Sequence, residues 1–268
     1  MRDLSKEIVV KELITSVSLI KKHAFWLVIS SLIDALFFLA WGFFTTPVRD
    51  KIVEHSVLIA NKLSAILAEQ EVKTGILSHL LGPQLQPMTG KLILLILLLF
   101  AVIYVLYNAF HGTSWWMATN IAEMPQKYRE YMLGFARVNL IWITGYILYK
   151  FIDVIISLRY VIIQKFSPGA PNIAGKVLLA ALVLLGIAAF FSYPRLRAAQ
   201  LFRTPWRITV SLLVLCASMF LAAQFILNSI GKLNVDAALV AGIIILFPVM
   251  NLIRTYAIRV LSHVHTRD

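Results

Sequence analysis

Charged residues are scarce in this chain of 268 residues, since Asp, Glu, Lys and Arg make up 14% of it, against roughly 25% in soluble domains. Hydrophobic residues make up 60%. This composition is too apolar for a water-soluble domain, which excludes soluble enzymes and soluble binding modules. The single cysteine, Cys216, excludes an intramolecular disulfide, and its thiol should be inert because it lies in the apolar stretch SLLVLCASMF.

Motifs that carry catalysis or metal binding are also missing from the sequence. The six histidines include no HExxH pair, and there is neither a Gly-rich phosphate loop nor a GxSxG turn. An aspartyl protease needs paired aspartates, and Asp34 with Asp153 is a poor candidate because Lys150 lies three positions before Asp153. We therefore expect no enzyme activity, no metal and no cofactor.

Long apolar runs are what the sequence has instead. Leu92 to Phe110 is a 19-residue run whose only strongly polar side chain is Asn108, and roughly 20 apolar residues cross a hydrocarbon core of about 30 Å. Runs of this kind recur and predict an all-α, polytopic membrane bundle that packs as a single domain. The six predicted spans are Ala24 to Phe44, Leu92 to Phe110, Val138 to Leu158, Val177 to Tyr193, Ile208 to Ile230 and Ala237 to Ile258.

Amphipathic segments are predicted beside these spans. Residues 1–23 contain an interfacial helix with apolar residues at helical spacing. Its stripe consists of Val9, Leu13, Val17 and Ile20. The loop 45–91 should contain an extracytoplasmic amphipathic helix that starts at Thr46 and Pro47, followed by a shorter helix that ends at Leu81. Another helix is expected to begin after Pro125 and to lead into the third span.

Lys and Arg are distributed unevenly between the predicted loops. In the six-span topology fifteen of them lie on one side and nine on the other. Because positive residues concentrate in cytoplasmic loops and beside anionic lipid, we predict a multi-pass protein of the cell membrane with both termini in the cytoplasm. This distribution explains the net charge of +12 without nucleic acid, since no stacked aromatic residues interleave a basic patch as single-strand binding requires.

Three ionisable residues inside the predicted spans form the first candidate site. Asp34 and Lys150 both lie near mid-bilayer by the helical rise, and Asp153 shares a helical face with Lys150. A charge at the bilayer centre costs at least about 2.5 to 3.5 kcal/mol, so each should find a partner in the bundle interior. Two interpretations are open: a structural cluster of Asp34, Lys150 and Asp153 that fixes helix orientation, or a proton, ion or substrate site in a water-filled cavity.

The second candidate site is the basic segment after the fourth span, PRLRAAQLFRTPWR. Its four arginines are Arg195, Arg197, Arg203 and Arg207. Because Arg pairs with phosphate while an aromatic ring rests at the membrane boundary, these arginines, together with Phe202 and Trp206, predict contacts with anionic lipid. The sequence thus favours a non-enzymatic membrane component that handles lipid or assembles with other membrane proteins. The alternative is a small transporter or channel subunit that uses the mid-membrane charges.

Overall fold

The computed structural model describes residues 2–69, 82–83, 85–167, 169 and 171–265, and within them it is helical with no strand. The helices are α1 (Arg2–Lys22), α2 (Ala24–Glu69), α3 (Gln86–Tyr107), α4 (Thr113–Ile121), α5 (Tyr128–Phe166), α6 (Ile173–Ser192), α7 (Gln200–Arg203), α8 (Trp206–Leu233) and α9 (Val235–His265). A π-helical turn at Asn108–Gly112 joins α3 to α4.

Six stretches of these helices are long and apolar enough to cross a membrane. They are Ala24–Lys62, Gln86–Ile121, Tyr128–Asp153, Ile173–Ser192, Trp206–Lys232 and Asp236–His263. A helix satisfies its backbone hydrogen bonds internally, which is what a hydrocarbon environment requires. Each stretch overlaps one predicted span, so the prediction of an all-α, multi-pass membrane protein is confirmed.

The chain divides into two compact units, and the prediction that the spans pack as one domain stays a prediction. The first unit comprises Met1–Ala35 and Phe110–Asp268, and the second comprises Leu36–Ala109. In the second unit the Phe37 ring lies 5.6 Å from Trp41 and 6.3 Å from Tyr107, between ring centroids, so aromatic contacts join α2 to α3.

In the first unit α8 and α9 lie side by side with one residue, Asn234, between them. The Asn234 side chain accepts a hydrogen bond from Ala237 N at 3.0 Å and so stabilises the start of α9. α5 and α6 form a second pair of neighbours. α5 begins at Tyr128, which confirms the helix expected after Pro125.

Helix α2 continues through Pro47 for 46 residues in all. The prediction that a separate helix starts at Thr46 and Pro47 is therefore wrong. A proline inside a helix removes one backbone hydrogen bond, but long membrane helices tolerate this because nearby Ser and Thr side chains satisfy freed carbonyls. In the preceding turn Thr45 Oγ1 donates to Trp41 O at 2.7 Å, whereas the carbonyl that loses its helical donor at Pro47 is that of Phe43. The predicted shorter helix that ends at Leu81 lies outside the described residues.

Helix α1 confirms the predicted N-terminal helix, but its buried face is shifted around the helix and shares only Val9 with the predicted stripe. The buried residues are Val9, Glu12, Ser16 and Leu19, whereas Val17 is 38% exposed. This face lies against α8 and α9. The buried face differs from the predicted apolar stripe because it includes Glu12, whose carboxylate pairs with Arg259 and His263 on α9.

Candidate functional site in the first unit

The buried carboxylate of Asp34, on α2, is the centre of a polar network in the first unit. Its side chain is 1% exposed, and that of Arg254 on α9 is 5% exposed. Arg254 Nη1 donates to Asp34 Oδ2 at 2.6 Å and Nη2 donates to Oδ1 at 3.0 Å, which makes a bidentate ion pair. Ser114 Oγ, on α4, donates to Oδ1 at 2.9 Å. One carboxylate therefore joins three helices.

His111 adds to this network from the π-helical turn before α4. Its Nδ1 lies 3.3 Å from Arg254 Nη2 and 3.7 Å from Asp34 Oδ1. A guanidinium group can only donate, so this geometry fits a neutral imidazole whose proton is on Nε2. π-helical turns occur often at functional sites. Here Ser114 bonds the Asp34 carboxylate, and His111, on the other side of the junction with α4, contacts the Arg254 guanidinium beside it.

Asn251 extends the network by one turn along α9. Its Oδ1 accepts hydrogen bonds from Ser30 Oγ at 2.6 Å and from Arg254 Nη1 at 3.3 Å. Its Nδ2 donates to Ser31 Oγ at 3.3 Å. Amide and hydroxyl side chains commonly bond between membrane helices in this way. These contacts hold α2 and α9 together at a second level.

A second buried carboxylate, Glu12 on α1, pairs with the C-terminal part of α9. Arg259 Nε donates to Glu12 Oε2 at 2.6 Å, and His263 Nε2 lies 2.9 Å from Oε1. The side chains of Glu12 and Arg259 are 1% and 16% exposed. Arg259 Nη1 also donates to Ala122 O at 3.3 Å. This ion pair therefore holds both α1 and the connection between α4 and α5 against α9.

Protein groups surround the buried Asp34 carboxylate. The Asp34 carboxylate accepts from Arg254 twice and from Ser114 once, which uses most of its roughly four lone-pair sites. Removing one partner of a buried ion pair costs about 3–5 kcal/mol, so Arg254 should not separate readily from Asp34. This geometry fits an ion pair that holds helices together better than a site that binds and releases a proton or an ion. Within the described residues, no group of three or more His, Cys, Asp or Glu could hold a metal ion.

The predicted cluster of Asp34, Lys150 and Asp153 is divided in the structure. Lys150 Nζ lies 3.3 Å from Asp153 Oδ2 on α5, at the i,i+3 spacing that brings side chains together. Asp34 instead binds Arg254, which corrects the expected pairing of Asp34 with Lys150. The Lys150 and Asp153 side chains are 48% and 34% exposed, so they do not lie in the bundle interior as expected.

Arg254 is the partner that sequence reasoning does not find. It lies 220 positions from Asp34, and in the sequence it counts among the positive charges at the end of the sixth span. A signal was nevertheless present, because Arg254 lies inside the predicted span Ala237 to Ile258, where an unpaired Arg is costly. Asn251, one turn earlier, marks the same face of the helix.

The basic segment also divides into two parts. Arg195 Nη2 donates to Ser262 O at 3.0 Å, and partial burial, with a smaller effect of Arg197, lowers the pKa of Arg195 below its ordinary value. Arg197, Arg203 and Arg207 are exposed. Arg195 therefore binds protein, and the predicted lipid contacts are reduced to the other three.

No protein-family model, curated protein or solved structure matches this chain.

Proposed function

We propose that this chain is a non-enzymatic component of the cell membrane that binds anionic lipid through the segment 194–207. The exposure of its aromatic side chains supports this most strongly, since Phe202 is 86% and Trp206 is 70% exposed. The Arg207 guanidinium lies 5.9 Å from the centre of the Trp206 ring. Adjacent Trp and Arg side chains suit the headgroup region, where the ring rests at the boundary and the guanidinium pairs with phosphate.

The position of the segment on its helices supports the same function. Helix α7 buries Gln200 and exposes Phe202 and Arg203, so its two faces differ in character. Helix α8 and the membrane-spanning stretch Trp206–Lys232 begin at the same residue. The exposed aromatic and basic groups therefore lie where the candidate span begins, which supports their contact with lipid headgroups.

Orientation belongs to the same proposal, with both termini and this segment on the cytoplasmic side. Lys and Arg residues number fifteen on that side and nine on the other in the predicted topology. Arg254 and Arg195 are engaged by protein groups, but leaving both out keeps the majority on the same side. Anionic lipids are concentrated in the cytoplasmic leaflet, so the proposed orientation and the proposed ligand agree.

Replacement of Arg197, Arg203 and Arg207 together by Gln tests lipid binding. Each cation near an anionic surface contributes on the order of 1 kcal/mol, or about fivefold in affinity. The triple variant should therefore retain much less anionic lipid. Native mass spectrometry of protein purified from mixed phosphatidylglycerol and phosphatidylcholine would measure the retained phosphatidylglycerol.

A matched control removes the same charge elsewhere. Lys62, Lys91 and Lys176 are exposed and lie on the opposite side in the predicted topology, so their joint replacement by Gln should leave lipid retention unchanged. Equal losses in both triple variants would mean that net charge alone attracts lipid. Unchanged retention in the arginine variant would overturn the proposal and leave the arginines a role in membrane orientation.

A further inference from the structure

The Lys150–Asp153 ion pair lies at the surface of α5, where Lys150 is exposed and Asp153 is half-buried. Its Nζ to Oδ2 distance is 3.3 Å, and the two side chains are 48% and 34% exposed. The rings of Tyr146 and Tyr149 lie beside the ammonium group, with centroids 6.0 and 5.4 Å from Nζ. The surface defined by Tyr146, Tyr149, Lys150 and Asp153 is called the α5 charged face below.

Contacts with α6 show how deep this face lies. Trp142 Nε1 donates to Ser192 Oγ at 2.8 Å, and a Cβ on Gly145 would lie 3.0 Å from Leu185 Cδ1. Residue numbers rise along α5 as they fall along α6, so the two helices are antiparallel. Lys150 is five positions beyond Gly145 on α5. Because the helices are antiparallel, it is level with a residue about five positions before Leu185 on α6, near Ala180.

That level is close to the middle of α6. The helix runs over Ile173–Ser192, 20 residues, a length of about 30 Å that matches the hydrocarbon core of a bilayer. Its midpoint lies near Leu182, and α5 itself continues beyond Asp153 to Phe166. The ion pair, at the end of the described stretch Tyr128–Asp153, is therefore level with the middle of α6 and lies in the hydrocarbon region.

A charged pair at this depth is poorly placed against lipid. Ionisable residues inside membrane spans almost always face the bundle interior or a water-filled cavity and bind a partner. Leu148 and Phe151, on the same stretch of α5, are 58% and 66% exposed, as expected for apolar side chains that face hydrocarbon. Another protein surface over the α5 charged face would remove the pair from lipid.

We infer that the α5 charged face is covered by the same face of a second copy of this chain. All copies cross the membrane with the same topology, so a twofold axis along the membrane normal places the two α5 helices side by side and parallel. Lys150 and Asp153 carry opposite charges about one turn apart, which makes the face complementary to itself. Lys150 of each copy then lies within reach of Asp153 of the other. The inference stands on the depth and exposure of the pair and does not depend on lipid binding.

Charge complementation between two differently tagged copies tests this arrangement. A Lys150→Asp copy carries two acids on the face, and an Asp153→Lys copy carries two lysines. Each alone should lose self-association, with co-purification of the two tags from native membranes lowered about tenfold or more. Co-expression of the two variants should restore it, because the acids of one copy meet the lysines of the other. Failure of the mixed pair while both variants are inserted and folded would overturn the inference.

Cysteine crosslinking keeps the native ion pair and so does not depend on how the charge variants fold. In a Cys216→Ala background, Tyr146→Cys lies four positions before Lys150, about 40° away around the helix, and should form a crosslinked dimer with a short thiol reagent. Leu148→Cys is the control, since it is exposed but lies about 200° from Lys150. Equal crosslinking at both positions, a monomer at both, or a crosslink to a different protein would each contradict a second copy at this face.

Discussion

Two ion pairs of similar chemistry have opposite surroundings in this membrane protein. The side chains of Asp34 and Arg254 are 1% and 5% exposed, whereas those of Lys150 and Asp153 are 48% and 34% exposed. The first pair joins α2 to α9 across 220 positions of sequence, and the second lies within one turn of α5. A buried pair constrains the fold because each charge depends on the other, whereas an exposed pair contributes little within one copy and remains accessible to a second surface.

The cation chosen in each pair agrees with this difference. Arg254 presents a planar fork that bonds both oxygens of Asp34, and such geometry is what makes Arg suitable for buried pairs. Lys150 offers a point charge on a flexible stem and makes one long contact of 3.3 Å with Asp153. A flexible ammonium group can exchange one carboxylate for another with little loss, as the proposed contact between copies requires.

The largest expected effect is on the buried pair. Either Asp34→Asn or Arg254→Met alone should lower the free energy of unfolding by about 3–5 kcal/mol, because each leaves an uncompensated buried charge. The double variant should recover much of this loss, since replacing both partners leaves no buried charge. Thermal unfolding of the purified protein in detergent measures all four members of the cycle. Strictly additive losses would contradict a direct Asp34–Arg254 interaction.

Arg254→Lys is the matched control for geometry. It keeps the positive charge and loses the bidentate contact, so its loss of stability should lie between those of the native protein and Arg254→Met. A variant as stable as the native protein would mean that charge alone matters at this site. That result would mean that a guanidinium group has no advantage over an ammonium group at position 254.

An intermediate loss of unfolding free energy is expected at Glu12, whose ion pair is more exposed than Asp34–Arg254 and less exposed than Lys150–Asp153. Its carboxylate is 1% exposed, but its partners Arg259 and His263 are 16% and 44% exposed. Glu12→Gln leaves cations that can turn toward water, so the loss should be about 1.5–3 kcal/mol, the range for hydrogen bonds to charged groups. Thermal unfolding measures it, with Glu130→Gln, at a side chain 71% exposed, as the control expected to change nothing. A loss larger than that of Asp34→Asn would show that burial of the partner does not decide the cost.

The six spans could be predicted from the sequence because hydropathy is a local property and the bilayer sets a fixed length. The contact between Lys150 and Asp153 follows from helical spacing for the same reason. Pro47 shows the limit of local rules, since a proline that is favourable at a helix start is also tolerated within a long membrane helix. The sequence does not distinguish the two cases.

Pairing between distant helices could not be predicted in this way. Asp34, Ser114 and Arg254 meet because α2, α4 and α9 pack together, and the order of packing is not encoded in any one segment. The π-helical turn that carries His111 has no clear sequence signature either. The helical rise puts Asp34 and Lys150 at similar depths in their predicted spans, which is why the sequence predicts that they pair. Similar depth does not show which helices are neighbours.

The smallest expected effect is on the exposed pair within one copy. Lys150→Met, Asp153→Asn and the double variant should each change the unfolding free energy of the detergent-solubilised monomer by less than the about 3–5 kcal/mol expected at the buried pair, since protein does not enclose either remaining charge and the Lys150 stem is flexible. The coupling in this cycle should therefore be well below that of Asp34 with Arg254. Thermal unfolding of monomer isolated by size-exclusion chromatography measures it. The same variants should weaken association between copies in the membrane, so a loss of self-association without a loss of monomer stability is the combination expected of a contact surface. A coupling as large as that of the buried pair would instead assign Lys150 and Asp153 to the fold of the single copy.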